Sequence, residues 1–278
     1  METNSNVPEP AGQQQAGNRG PGLWIDMLAV VGIFILANVI GGFIKMAIPD
    51  HSFGVFVSYT FALGATIIFA LWLRGRRLGG RIDLPFRLKR TNPSLVLWGL
   101  ILVFATSTVL EPLLALFPDD FMKLLDSAVG SGFWAVVTTV VCAPVLEEML
   151  FRGIIQESCT RQFGGVRGVI AAAAIFGVIH FIPQQVINAF FIGIILGYIY
   201  IRTKSLTPVI LIHAFNNAVA FLMMKVFPAP ADGSTVYLRH VIGNDTFYWV
   251  LYGMLALLVL ISGAFVFRYL KQEKPVRP

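Results

Sequence analysis

Long apolar runs separated by short polar segments make up the chain from residue 23 onward. A helix needs about 20 apolar residues to cross the hydrocarbon core of a bilayer, and on that rule we predict about eight membrane-spanning helices. They lie at 23–48, 53–73, 94–117, 132–155, 166–182, 185–201, 206–226 and 247–269. The alternating pattern of membrane β-strands is absent. The predicted fold class is therefore all-α, a polytopic membrane helical bundle.

The two ends of the chain differ in composition from the apolar region. Residues 1–22 are rich in Pro, Gly, Gln and Asn, and we expect them to form a disordered cytoplasmic tail. The bundle then covers 23–269, and residues 270–278 form a second cytoplasmic tail. We predict no cleavable signal peptide, because the first apolar run begins only near Leu23 and is long enough to span.

Composition supports a single multi-pass integral membrane protein. Hydrophobic residues make up 56% of the chain, charged residues 13%, and the mean hydropathy is +0.74, which is unlike a soluble domain. The net charge of +6 comes from basic residues in short loops, so the expected partner is the lipid bilayer and not nucleic acid. The two cysteines, Cys142 and Cys159, lack CxxC spacing and predict neither a disulfide nor a thiolate metal site.

The basic residues also predict an orientation. Seventeen of the 21 Lys and Arg residues lie before the first run, in the 74–90 loop, in alternate loops after it or at the adjoining helix ends, or at and beyond the end of the last run. Short cytoplasmic loops carry such an excess of positive charge. We therefore place both termini in the cytoplasm, which requires an even number of spans.

Polar residues interrupt three of the apolar runs. Glu147 and Glu148 stand inside the apolar segment 133–151, where each carboxylate costs about 2.5–3.5 kcal/mol even on the more lenient insertion scale. Leucine would pack better, so the pair predicts a functional site. His180 ends a second apolar run, and His213 lies in a third, followed four residues later by Asn217.

The spacing of these residues predicts which of them meet. Gly164 marks a turn, with Glu147 17 residues before it and His180 16 after it. In an antiparallel helical hairpin the two side chains should lie at one height, because both helices rise about 1.5 Å per residue. Glu148 and Arg152 are four apart, which suits an ion pair.

This set of side chains is typical of hydrolysis. A carboxylate, Glu147, can accept a proton from water that an imidazole, His180, orients. His213 and Asn217, which share a helix face, can donate hydrogen bonds to an oxyanion. Alternatively, Glu147, His180 and His213 can bind a divalent ion such as zinc as a two-His-one-carboxylate site. We favour the metal-free arrangement, since Asn217 is a poor zinc ligand and a good oxyanion donor.

At these residues the chain resembles the type II CAAX prenyl protease family, also called the CPBP or abortive-infection family of intramembrane proteases. The three family motifs EExxxR, FxxxH and HxxxN stand in order as Glu147-Glu148-Met-Leu-Phe-Arg152, Phe176-Gly-Val-Ile-His180 and His213-Ala-Phe-Asn-Asn217. The resemblance implies a catalytic core at 132–222 in which Glu147 is the catalytic carboxylate and His180 positions the water. It implies that His213 and Asn217 form the oxyanion or metal side, and that Glu148 and Arg152 support the site.

The function predicted is an intramembrane endopeptidase that hydrolyses a peptide bond in a peptide or membrane-protein substrate. The members of this family are widely described as metalloproteases. This chain, however, lacks the HExxH motif that binds zinc in many metalloproteases. We expect it in a bacterial cell membrane. One alternative is a carrier or proton relay that uses Glu147 and His180, against which stands the absence of an inverted repeat. The other is a non-catalytic membrane scaffold or immunity protein.

Overall fold

The computed structural model describes residues 22–77, 86–118, 130–227 and 237–272. The predicted tail at 1–22 lies outside these residues apart from Gly22, as do the last six residues of the tail at 270–278. Within the described ranges the chain is helical and contains no strand. The helices are α1 Gly22–Ala47, α2 His51–Arg77, α3 Pro93–Val109, α4 Glu111–Leu114, α5 Phe133–Phe163, α6 Gly165–Val178, α7 Pro183–Thr203, α8 Leu206–Val226, α9 Leu238–Ile242 and α10 Asp245–Gln272.

Six of these helices are long and apolar enough to cross a membrane, namely α1, α2, α5, α7, α8 and α10. The predicted all-α, multi-pass membrane fold is confirmed. Two further apolar helices, α3 with 17 residues and α6 with 14, are shorter than a full span. Each of the eight predicted spans overlaps one of these eight helices, but eight crossings and the inward orientation of both termini stay predictions.

Some predicted helix boundaries were wrong. The run at 94–117 is not one helix, because α3 ends at Val109 and α4 begins at Glu111. Pro112 explains the interruption, since it has no N–H and its ring would clash with the carbonyl four residues earlier. At the other end of the chain α10 extends to Gln272, beyond the predicted boundary at 269. Leu270 is buried there, and its carbonyl accepts a hydrogen bond from Arg202 Nη2 at 2.8 Å.

Helix α5 lies at the centre of the bundle and contacts α2, α6 and α8. Two hydrophobic clusters fill the interior. The first surrounds α5 and includes Leu63 of α2, Phe151 of α5 and Phe176 of α6. The second joins α3, α7, α8 and α10 around Leu196 and Ile212. The glutamate pair of α5 therefore faces neighbouring helices rather than lipid.

Helix α5 is not a regular α-helix. Two π-helical segments, Val137–Cys142 and Met149–Gln156, flank a short α-helical segment, Ala143–Glu148. Pro144 explains the first, because it cannot donate to the carbonyl four residues earlier and a wider turn relieves the clash of its ring. Single π turns inside α-helices are frequent at functional sites, and both glutamates end the α-helical segment between them.

Two glycines allow α5 and α6 to form a tight hairpin. Gly164, the only residue between the two helices, has a φ of +81°, which side chains with a Cβ rarely adopt. One turn later, a Cβ on Gly168 would lie 2.4 Å from Thr160 Cα and 2.6 Å from Thr160 N. The backbone of α5 therefore occupies the space that a side chain at position 168 would need.

We predict that Gly168→Ala destabilises the protein by about 1–3 kcal/mol, because the methyl group must displace backbone and not a flexible side chain. Thermal unfolding in detergent should show a clear fall in Tm. Gly64→Ala, at an open position of α2, is the matched control and should leave Tm nearly unchanged. Equal Tm values for the two variants would contradict the proposed close approach of α5 and α6.

Candidate active site

Four ionisable side chains are buried together where α5 meets α8. The exposed fraction of the residue is 8% for Glu147, 0% for Glu148, 2% for Arg152 and 5% for His213. Burial of an unpaired charge is prohibitive, so buried charges are expected to be paired and hydrogen-bonded. Glu148 contacts both Arg152 and His213, although its contact with Arg152 and one oxygen of Glu147 lack hydrogen bonds.

Glu148 is the central member of the cluster. Its Oε1 lies 2.9 Å from His213 Nδ1, and its Oε2 lies 3.1 Å from Arg152 Nε. The second contact is an ion pair without the alignment of a hydrogen bond. The guanidinium of Arg152 also lies over the ring of Phe176, 4.5 Å from its centroid, in a cation–π contact. The structure thus contains the predicted pair of Glu148 and Arg152 and adds His213 to it.

The contact with Glu148 also orients His213. A carboxylate accepts a hydrogen bond from the imidazole nitrogen that faces it, so Nδ1–H of His213 donates to Glu148. This fixes the ring and directs Nε2 toward Glu147, whose Oε2 lies 3.8 Å away. That distance is too long for a hydrogen bond. Glu148 therefore sets the direction in which His213 presents its second nitrogen.

Glu147 is only partly satisfied. Its Oε1 accepts a hydrogen bond from the hydroxyl of Tyr59 in α2. Its Oε2 is buried and has no hydrogen-bond partner among the residues that the structure describes. A buried acceptor without a partner costs about 1–3 kcal/mol. Such an atom calls for an explanation, and an oxygen reserved for water or substrate supplies one.

His180 follows the last turn of α6, as the sequence predicted for the end of this apolar run. Its Nδ1 lies 2.8 Å from the carbonyl oxygen of Phe176 and donates to it, and Nε2 takes no part in this hydrogen bond. Its ring meets Phe176 edge-on at 5.0 Å, and Phe176 meets His213 edge-on at 5.9 Å. In the described part of the chain no hydrogen bond joins His180 to Glu147, so their equal height stays a prediction.

Asn217 holds the irregular turn of α5. In the first π segment the amide of Ala143 bonds to the carbonyl of Thr138, five residues back. The next bond in this pattern would run from residue 144 to Thr139, but Pro144 has no N–H. Asn217 Nδ2 supplies the missing donor, at 3.0 Å from the Thr139 carbonyl. One hydrogen of its amide group remains for another acceptor.

The predicted metal ligands do not form a three-ligand site. Nowhere among the described residues do three His, Cys, Asp or Glu side chains gather closely enough to hold a metal ion. Of the predicted set, His213 and Glu147 approach each other, with His213 Nδ1 engaged by Glu148. The choice between the metal-free arrangement and a zinc site at Glu147, His180 and His213 stays a prediction.

Two residues near the site were missed from the sequence. Tyr59 is 88 positions from Glu147, and nothing local in α2 distinguishes it from an ordinary membrane tyrosine. Gln156 had a signal, because it continues the four-residue spacing of Glu148 and Arg152. It is buried, and its Nε2 donates to the carbonyl of Gly197 at 2.8 Å. Gly197 permits this approach, since a Cβ there would lie 2.7 Å from Gln156 Oε1.

The chain matches a known protein family over part of its length. Residues 129–219, about a third of the chain, match the family model described as type II CAAX prenyl endopeptidase Rce1-like. The match includes all three motifs and confirms the resemblance to the type II CAAX protease family. No curated protein and no solved structure matches the chain. The family match and the six apolar helices together point to a multi-pass integral membrane protein.

We predict that Arg152→Ala destabilises the protein by about 3–5 kcal/mol, because it leaves Glu148 buried beside an empty space. The measurement is thermal unfolding together with the yield of folded protein. Glu148→Gln in the same chain should recover much of the loss, since it removes the charge and keeps an acceptor for His213.

Arg161→Ala is the matched control for this prediction. Arg161 also pairs with a glutamate four residues away, Glu157 at 3.3 Å, but its side chain is 59% exposed, and exposed pairs contribute about 0–1 kcal/mol. A similar loss in both Arg variants, or no recovery in the double variant, would mean that burial of the Glu148–Arg152 pair does not control stability.

Proposed function

We propose that this protein is an intramembrane endopeptidase that hydrolyses a peptide bond in a peptide or membrane-protein substrate within the bilayer. The observation that carries the proposal is the buried Oε2 of Glu147. This oxygen has no hydrogen-bond partner among the described residues and lies 3.8 Å from an imidazole nitrogen whose ring is held by Glu148. Water bound at this oxygen would meet a proton acceptor.

The first step is activation of water. Glu147 Oε2 accepts a proton from the water, whose oxygen attacks the carbonyl carbon of the scissile bond. His180 is suited to orient this water, because its Nδ1 donates to the Phe176 carbonyl and its Nε2 takes no part in that hydrogen bond. As the tetrahedral intermediate collapses, the proton held by Glu147 passes to the leaving nitrogen. The cycle returns Glu147 to its starting state.

The negative charge that develops on the carbonyl oxygen needs hydrogen-bond donors. We assign this role to His213 Nε2 and to the second amide hydrogen of Asn217. For Nε2 to donate, His213 carries a proton on both nitrogens, with Nδ1–H on Glu148. Asn217 is held in place by its bond to the Thr139 carbonyl. One well-placed donor of this kind contributes about 3–4 kcal/mol to transition-state stabilisation.

The family match supports hydrolysis rather than carriage of a proton or solute. The arrangement around Glu147 supports it independently. In a relay, the intramembrane acids and bases would be connected by hydrogen bonds, whereas in the described part of the chain none connects Glu147 to either histidine. A catalytic base instead keeps an oxygen open for the reacting water.

We predict that Glu147→Gln lowers kcat by at least about 100-fold, because the amide keeps the size of the side chain and cannot accept the proton. The measurement is cleavage of a peptide library by purified protein in lipid. Glu111→Gln, which alters a half-buried carboxylate of α4 outside the site, is the control and should cleave normally. Near-normal cleavage by the Glu147 variant would show that Glu147 is not the catalytic base.

We further predict that the purified enzyme contains no stoichiometric zinc and that chelators leave its cleavage rate unchanged. The physical reason is that His213 Nδ1 is engaged by Glu148 and Asn217 is an amide, which is better suited to an oxyanion than to zinc. Elemental analysis is the measurement. About one equivalent of zinc, lost in both His180→Ala and His213→Ala, would establish a metal site in place of this arrangement.

A further inference from the structure

The hydroxyl of Tyr59 is the only described group that donates a hydrogen bond to Glu147. Tyr59 lies in α2, about 70 residues before the segment that matches the family model begins at residue 129. The contact satisfies Oε1 of Glu147 and leaves Oε2 as the unsatisfied oxygen. A carboxylate with one oxygen fixed in this way can no longer rotate freely about its last side-chain bond.

The position of Tyr59 is itself fixed by contacts between α2 and α5 on both sides of it. Toward the start of α2, Phe53 and Phe56 pack on Trp134 with ring centroids 4.9 and 4.8 Å apart. Toward its end, Arg74 pairs with Glu157 at 2.6 Å. These contacts set the register of the two helices. The ring of Tyr59 also packs against the hydrophobic cluster around α5.

We propose that Tyr59 is a positioning residue that holds the carboxylate of Glu147 with Oε2 directed at the reacting water. The inference rests on the proposed function of Glu147 and extends the active site beyond the family-matching segment to α2. Tyr59 itself does not touch substrate in this arrangement. Its effect is on the geometry of proton transfer, where a misplacement of about 1 Å can cost about 100-fold in rate.

This role predicts an effect on turnover and not on substrate binding. Tyr59→Phe keeps the ring and its packing and removes only the hydroxyl. We expect kcat to fall by about 10- to 100-fold while KM changes by less than about twofold. The measurement is steady-state cleavage of the best peptide substrate by the purified full-length protein in lipid.

Tyr252→Phe is the matched control. The hydroxyl of Tyr252, in α10, also donates inside the bundle, to the carbonyl of Val109 at 2.9 Å, but far along the chain from the glutamates. It should show a similar small change in Tm and unchanged kcat. If both Tyr variants lose turnover equally, or if Tyr59→Phe retains full turnover, the positioning role is wrong.

Infrared spectroscopy supplies a readout that does not depend on turnover. The difference spectrum between wild-type protein and Glu147→Gln isolates the bands of the Glu147 carboxyl group. Against a Tyr59→Phe background these bands should shift, because the hydrogen bond to Oε1 is gone; an unshifted band would overturn the proposal. Cleavage by Glu147→Gln would contradict the proposed function. If Glu147→Gln is inactive and Tyr59→Phe is fully active, only the role of Tyr59 is contradicted.

Discussion

The site depends on the buried carboxylate of Glu148, which contacts one basic side chain through each of its two oxygens. Glu148 is fully buried, and its two oxygens face His213 and Arg152. Two adjacent carboxylates in an apolar helix would repel each other and lose their hydration. The guanidinium of Arg152 offsets the charge of Glu148. The contact of Glu148 with His213 directs Nε2 of His213 toward Glu147. One pair of ionic contacts thus stabilises the bundle and orients the reacting groups.

The backbone of α5 makes this arrangement possible. Pro144 disrupts the regular helix and leaves the Thr139 carbonyl without its π-pattern donor, which Asn217 replaces from α8. Asn217 is thereby tied to the helix that carries the glutamates. Irregular helical hydrogen bonding of this kind is frequent at functional sites. The proline accounts for the irregular helix and for the bond that ties Asn217 to the helix of the two acids.

The fold was largely predictable because the length of each apolar run in a membrane protein gives the length of the helix that it forms. The helix at 206–226 was predicted with the bounds that the structure has, and Gly164 was predicted as the turn between α5 and α6. The ion pair of Glu148 and Arg152 followed from spacing on one helix. Helix ends that depend on a single proline were harder to predict from the sequence, as the interruption near Pro112 shows.

Parts of the site could not be predicted because they depend on contacts between distant helices. Tyr59 reaches Glu147 only because aromatic packing and an ion pair set the register of α2 against α5. The contact of His213 with Glu148 joins residues 65 positions apart, and spacing alone had assigned Glu148 a single partner, Arg152. The sequence contained the residues, but their pairing across helices required the packed structure.

The most direct test of the central claim is a double-mutant cycle in kcat between Glu148→Met, which keeps the length of the side chain and removes the oxygen that orients His213, and His213→Gln. If Glu148 acts by orienting His213, removal of His213 should make the exchange at Glu148 nearly silent for turnover, so the double variant should be no slower than the slower single variant. The loss of charge beside Arg152 occurs on both sides of the cycle and cancels. Effects on kcat that multiply would show that Glu148 and His213 act independently, and would contradict this account of the site.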